Sequence, residues 1–294
     1  MPADSNAVSQ FTGVVVNAAD GVSLFCRVWE PLGAFVATLI MLHGLGEHSG
    51  RYVHVGKFFA ESGFRTIAFD QRGHGRSGGR PVFMKEYSVL GDDVGDIVKH
   101  FADGPTFLFG HSFGGQILLW TAQHLELGVN GLIVSAPWLA LAHPPPGWQV
   151  ALGRSLHALF PGFRFPTGIH PENLSHDRAH LDSLEDLNLV HSFVTVHAYR
   201  EAVKAAAEIL EETRINHPLF LAHGDADPVT SREVAEEYFN QLSAPSKTLK
   251  IYPGLLHELH NETTRVEVLS DYLAWMKAII QTGFLEREGA QSRN

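Results

Sequence analysis

The 294-residue chain is 45% hydrophobic and 18% charged, which excludes the disordered and collagen-like classes and allows a large buried core. A chain of this length suits one core domain carrying an inserted element. Its formal charge of -10 argues against a nucleic-acid partner, because binding polyphosphate needs a basic stripe, and favours an apolar or neutral substrate.

The opening stretch MPADSNAVSQ has an acidic residue and no apolar segment, so it does not resemble a secretory signal. No run reaches the roughly 18 apolar residues that span a bilayer. The single cysteine, Cys26, has no partner for a disulfide, and among Leu24, Val28 and Trp29 it reads as a buried structural thiol. Together these features predict a cytoplasmic protein that meets membranes only at its surface.

Eight short apolar runs rich in β-branched and aromatic residues alternate with helical patterns: Val14 to Val16, Leu24 to Trp29, Ala37 to Leu42, Arg65 to Phe69, Thr106 to Phe109, Leu132 to Val134, Pro218 to Ala222 and Thr248 to Tyr252. That rhythm predicts an α/β protein with a mostly parallel eight-stranded sheet flanked by helices. Asp20-Gly21 between the first two runs predicts an antiparallel hairpin at the sheet edge.

The rhythm breaks at about Trp138 and resumes after Glu212. The proline cluster Pro144 to Pro146 is followed by helical patterns without an intervening strand. Residues 138–212 therefore read as an inserted helical cap, with 1–137 and 213–294 forming the core. Trp148, Leu152, Leu156 and Leu159 fall at helical spacing, as do Phe193, Val196, Val203 and Leu210. Such stripes either pack the cap on the core or line an acyl-binding tunnel. The polar tail LEREGAQSRN reads as frayed.

Gly110-His111-Ser112-Phe113-Gly114 satisfies G-x-S-x-G, follows an apolar run and precedes a helical pattern. Strand, sharp turn and helix make this the nucleophile elbow of an α/β-hydrolase, with Ser112 as nucleophile. Glycines are required because a side chain at either position would meet neighbouring backbone. A serine hydroxyl needs a histidine base and a carboxylate that sets its tautomer, in the order Ser, Asp or Glu, His in this fold. Asp227 and His257 each lie just past a strand run, with Asp225 and His260 as the competing choices. The oxyanion donors are expected from the backbone N–H groups of Phe113 and of Leu45, which sits between two glycines in His43-Gly44-Leu45-Gly46. His43 reads as a brace for that loop.

Metal and nucleotide cofactors are not expected. His257-Glu258-Leu259-His260 has the wrong spacing for H-E-x-x-H, and neither a dinucleotide fingerprint nor a P-loop is present.

The segments HGLGEHSGRY (His43–Tyr52), FDQRGHGRS (Phe69–Ser77), GHSFGG (Gly110–Gly115), HGDAD (His223–Asp227) and YPGLLH (Tyr252–His257) closely resemble the monoacylglycerol lipase and bacterial lysophospholipase-like family. The resemblance runs in order from about Asp20 to Lys277. It implies the same nucleophile, acid, base and oxyanion donors, and polar contacts to the glycerol end from Glu47, Arg51, His111 and His260. Glu47 and Arg51 are alternatively a structural pair within their loop. The cap departs most from the family: the three-proline run is unusual and Glu185-Asp186-Leu187-Asn188 lacks the common Asp-Pro pair.

The expected activity is therefore cofactor-independent hydrolysis of monoacylglycerols or similar single-chain lipid esters through an acyl-enzyme on Ser112. A short-chain carboxylesterase or lysophospholipase would use the same residues. A hydrolase-fold receptor without turnover is the rival from another class. The cap could also touch lipid surfaces transiently or bind a second subunit; oligomeric state is not readable from sequence.

Overall fold

The computed structural model describes residues 11–148, 153, 157, 159–184 and 186–291. Leu152, Leu156 and the first ten residues lie outside them. Among the described residues ten strands are formed: β1 Thr12–Asn17, β2 Ser23–Trp29, β3 Ala37–Leu42, β4 Phe64–Phe69, β5 Thr106–His111, β6 Gly131–Ser135, β7 Arg164–Pro166, β8 Phe193–Thr195, β9 Leu219–Gly224 and β10 Lys247–Tyr252. Eight of them build one sheet in the order β1-β2-β4-β3-β5-β6-β9-β10. All eight predicted runs fall on these strands.

From β4 to β10 neighbours are parallel, whereas β1–β2 and β2–β4 pair antiparallel. The predicted hairpin forms with Val14 opposite Cys26 and closes through Gly21 at φ 85°. Strands β3, β5, β6 and β9 are buried at every residue, as expected for central parallel strands covered on both faces. Cys26 is fully buried, and burial pushes its thiol up to about 12.

Helices cover both faces. Helix α1 (Val53–Glu61) and the C-terminal α7 (Arg265–Gln291) pack on one side, over Leu39, Met41, Phe107, Phe109 and Phe220. Helices α2 (Ser88–Phe101), α3 (Phe113–His124) and α6 (Arg232–Gln241) pack on the other, over Ile40, Leu42, Leu108 and Leu221. The tail expected to fray is instead helical as far as Gln291, where α7 ends, and the last three residues lie outside the described ones. No described helix is long and apolar enough to cross a membrane.

Between β6 and β9 the chain leaves the sheet and adds α4 (Arg178–Ser183), α5 (Val196–Glu211) and an antiparallel ribbon of β7 and β8. The ribbon was not expected, because two three-residue strands are too short to show a period-two pattern. Phe193 accordingly lies in β8, and α5 starts only after Thr195, whose hydroxyl accepts from the Ala198 N–H at 3.1 Å. The face of α5 against α3 is small: Ala198, Ala202, Ala205 and Ile209 are all buried. Gln116 of α3 ties the two layers, donating to the Ala202 carbonyl at 3.0 Å and accepting from the Tyr87 hydroxyl at 2.8 Å.

Candidate active site

At the C-terminal end of β5 the chain turns so sharply into α3 that Ser112 adopts φ 52°, ψ -114°. Such a conformation costs a non-glycine residue about 1–3 kcal/mol and persists only where surrounding structure imposes it. Here the Ser112 N–H donates to the Ser135 carbonyl at 2.9 Å, and its own carbonyl accepts from Gln116 and Trp138. A Cβ at Gly110 would lie 2.5 Å from the Gly114 carbonyl oxygen, and one at Gly114 would lie 2.5 Å from that of Leu42. No side chain fits at either place.

His257, in the loop after β10, reaches the elbow with Nε2 3.0 Å from the Ser112 hydroxyl. Its Nδ1 lies 2.7 Å from Asp227 Oδ2. With Nδ1–H donating to the carboxylate, Nε2 is left free to accept the serine proton. Asp227, in the loop after β9, also accepts from the Val229 N–H at 2.7 Å, the Thr230 N–H at 3.2 Å and the Thr230 hydroxyl at 2.9 Å. Burial alone would push its carboxyl up; the charge and hydrogen bond of His257, His223 and the Val229 N–H outweigh this and hold it well below the ordinary range. Burial likewise favours neutral His257, yet the Asp227 charge and hydrogen bond, with Glu258 and Glu47 behind them, leave its pKa raised.

The competitors fall elsewhere. Asp225 accepts from the Gly254 N–H at an exposed turn. His260 is fully buried and stacks on Tyr52 at 4.7 Å. Burial keeps His260 and His111 neutral, well below the usual imidazole range.

Above Ser112 opens a cavity of about 1300 Å³, mostly apolar, with Ser112, Leu45, Glu47, Arg51, His257 and Glu258 on its walls. His111 and His260 do not line it; they are packed beneath it, 4.9 Å apart between ring centres. Trp148, Val196 and Val203 do line it, so part of both apolar stripes faces the cavity. The anticipated brace is also present: His43 Nε2 accepts from the Gln71 N–H at 2.9 Å while Nδ1 meets the Gly44 carbonyl at 2.7 Å, and burial lowers its pKa to about 3.

Residues 33–264 match the family model for serine aminopeptidase, S33. The chain is 31% identical over 270 residues to the monoglyceride lipase of Rattus norvegicus, covering 88% of each, and 28% identical to the monoacylglycerol lipase of Mycolicibacterium smegmatis, covering 94% of this chain and 99% of that one. It is 32% identical to an abhydrolase domain-containing protein of Dictyostelium discoideum, of which it spans only 28%. Among solved structures, the Paleococcus ferrophilus monoacylglycerol lipase superposes with a TM-score of 0.79 at 26% identity, over 87% of this chain and 99% of that one. The chain belongs to the monoacylglycerol lipase-like family of α/β-hydrolases.

This α/β-hydrolase is thus a serine hydrolase of carboxylic esters. Sequence reading missed Glu258, which matters for the polar wall of its cavity. Arg51 donates to both Glu258 oxygens at 2.7 Å and, through Nε, to Glu47 at 3.1 Å. Glu47 and Arg51 therefore form the loop pair and also line the cavity. Burial and the neighbouring Glu258 charge push Glu47 up to about 7. Glu47, His111 and Glu258 offer three ligand atoms within 4.8 Å of one another, but Arg51 already supplies both carboxylates with positive charge. The only signal for Glu258 was its place directly after His257.

Proposed function

We propose that this hydrolase cleaves monoacylglycerols to fatty acid and glycerol, with Ser112 as nucleophile, His257 as base and Asp227 as the carboxylate that orients it. The observation that carries the reading is the Ser112–His257–Asp227 chain, at 3.0 and 2.7 Å, at a large, mostly apolar cavity whose lining includes Glu47, Arg51 and Glu258. Ser112 Oγ attacks the ester carbonyl as its proton passes to His257 Nε2. The Leu45 and Phe113 N–H groups receive the oxyanion, each worth on the order of 3 kcal/mol of barrier. His257 then gives the proton to the departing glycerol oxygen, and water activated by the same nitrogen releases the fatty acid.

Glu47, Arg51 and Glu258 are assigned to the glycerol side, with His111 and His260 supporting them from beneath. Glu47 and Glu258 already occupy the Arg51 guanidinium, so Arg51 is not available to receive a phosphate beside the scissile ester, which favours a neutral glycerol over a lysophospholipid. Residues 138–212 are assigned as the cap. Its exposed Trp148, Leu159, Phe160 and Phe163 suit transient contact with a lipid surface.

The test is hydrolysis of a monoacylglycerol series from short to long chains beside p-nitrophenyl esters and lysophosphatidylcholines, with Ser112→Ala and Glu47→Gln. Long-chain monoacylglycerol should be preferred, Ser112→Ala should lose about 10⁴-fold or more of kcat, and Glu47→Gln should raise the relative rate on lysophospholipid. Activity confined to small activated esters would move the function to a general carboxylesterase. An active Ser112→Ala enzyme would overturn the site assignment.

A further inference from the structure

The segment 186–191 carries a latch that the reaction scheme above does not use. Asp186 holds a left-handed backbone, φ 52°, ψ 41°, a region that non-glycine residues rarely occupy. Its Oδ2 accepts from Arg27 Nη2 at 3.1 Å and from Arg76 Nη2 at 2.6 Å. Arg27 is fully buried, projecting from β2 against Phe11, and it also donates to the Ser49 hydroxyl at 3.2 Å. Ser49 and Arg76 are held by one carboxylate, Asp70, which accepts the Ser49 N–H at 2.6 Å and the Arg76 N–H at 2.7 Å. Asp186 therefore docks the insertion onto a rigid part of the core directly behind the loop that begins at His43.

Five residues later the same segment meets that loop. The His191 N–H donates to the Gly46 carbonyl at 2.8 Å. The His191 carbonyl oxygen lies where only a glycine leaves space, since a Cβ at Gly46 would sit 2.3 Å from it. Gly46, at φ 77°, is the residue after Leu45. Leu187, Val190 and His191 also line the cavity, so the stretch pinned by Asp186 is at once a wall of the cavity and the backing of the oxyanion loop.

We infer that Asp186 is a positioning residue: by pinning segment 186–191 to Arg27 and Arg76 it holds the His191 backbone on Gly46, which keeps the Leu45 N–H aimed at the oxyanion. Seating of the insertion and competence of the oxyanion hole are then one event. A substrate that lifts this segment off Arg27 and Arg76 also loosens the loop that must stabilise its transition state. The inference rests on the assignment of Leu45 as an oxyanion donor.

The experiment uses Asp186→Asn, which keeps the shape and removes the charge, with Asp186→Glu as the conservative control. A second disrupting variant is Arg76→Gln, whose target side chain is 45% exposed and removable without a buried void. Three quantities are read: kcat and KM on p-nitrophenyl butyrate, whose short chain does not fill the cavity, and amide hydrogen exchange of peptides covering 43–52 and 186–192. Expected for Asp186→Asn is a fall in kcat of about ten-fold with KM within about two-fold, faster exchange in both peptides, a smaller change of the same kind in Arg76→Gln, and recovery of most of kcat in Asp186→Glu. Unchanged exchange in the 43–52 peptide with unchanged kcat would overturn the latch and leave the Leu45 assignment standing. Faster exchange there with unchanged kcat would overturn the assignment of Leu45, and with it the catalytic role of Asp186.

Discussion

His257 is subject to two opposed influences, burial favouring the neutral ring and Asp227 favouring the imidazolium, and the second wins. A base must be neutral at Nε2 to take the Ser112 proton, so activity should rise with pH through a midpoint above the ordinary 6.5 of histidine. A pH profile of kcat/KM on a short ester should show that limb. Asp227→Asn should cost about 10⁴-fold in kcat and move the residual limb to lower pH; an unmoved limb would mean that Asp227 does not set the base. Ser112, Asp227 and His257 were legible in the sequence as candidates because each lies in the turn or loop just past an apolar run. The two aspartates part company only in three dimensions, where Asp227 lies 2.7 Å from His257 and Asp225 accepts from the Gly254 N–H. Glu258 was hidden because its partner Arg51 is 207 positions away, and no local pattern links them.

Among the elements, the turn from β5 into α3 carries the strictest steric demand. Gly114→Ala would place a methyl 2.5 Å from the Leu42 carbonyl and 2.6 Å from that of His43, so α3 must back away from β3. The expected cost is about 1–3 kcal/mol, read as a lower urea midpoint with unchanged slope, together with loss of activity as the oxyanion loop shifts. A fully stable and active variant would show that the elbow tolerates the methyl. The G-x-S-x-G pattern exposed this demand in advance, since a tight strand-to-helix turn leaves no room for a side chain on either side of the serine. Helix α5 was harder to read. Its large apolar residues Val196 and Val203 look toward the cavity, while the face on the core is built of Ala198, Ala202 and Ala205. With Ile209 the one large residue on that core face, ranking positions by side-chain size does not tell which side of the helix faces the core.

Across the molecule, burial without a charge partner makes several histidines sensitive to acid. His43 and His74 are held neutral, with pKa values lowered to about 3 chiefly by burial, against about 6.5 in the unfolded chain. A depressed histidine pKa gives stability that is complete above 6.5 and drains as pH falls toward 3. The folded state loses about 1.4 kcal/mol per pH unit for each proton that the unfolded chain binds and the native state does not. His257 has the opposite sign, since its raised pKa adds stability on the acid side and loses it as pH rises, but it is one group against two. The thermal midpoint followed by circular dichroism should drop steeply between pH 6.5 and 4; a flat midpoint would show that these rings are hydrated. The sequence by itself determined the eight sheet strands, the elbow and the residues at the strand ends, because period, turn chemistry and strand order are local properties of a chain. Only the tertiary structure decided that His111 and His260 lie under the cavity instead of in it, that Arg51 joins Glu47 to Glu258, and that Asp186 pins its segment against Gly46. These are contacts between residues far apart in the chain, and their energy exists only once the fold has brought them out of water together.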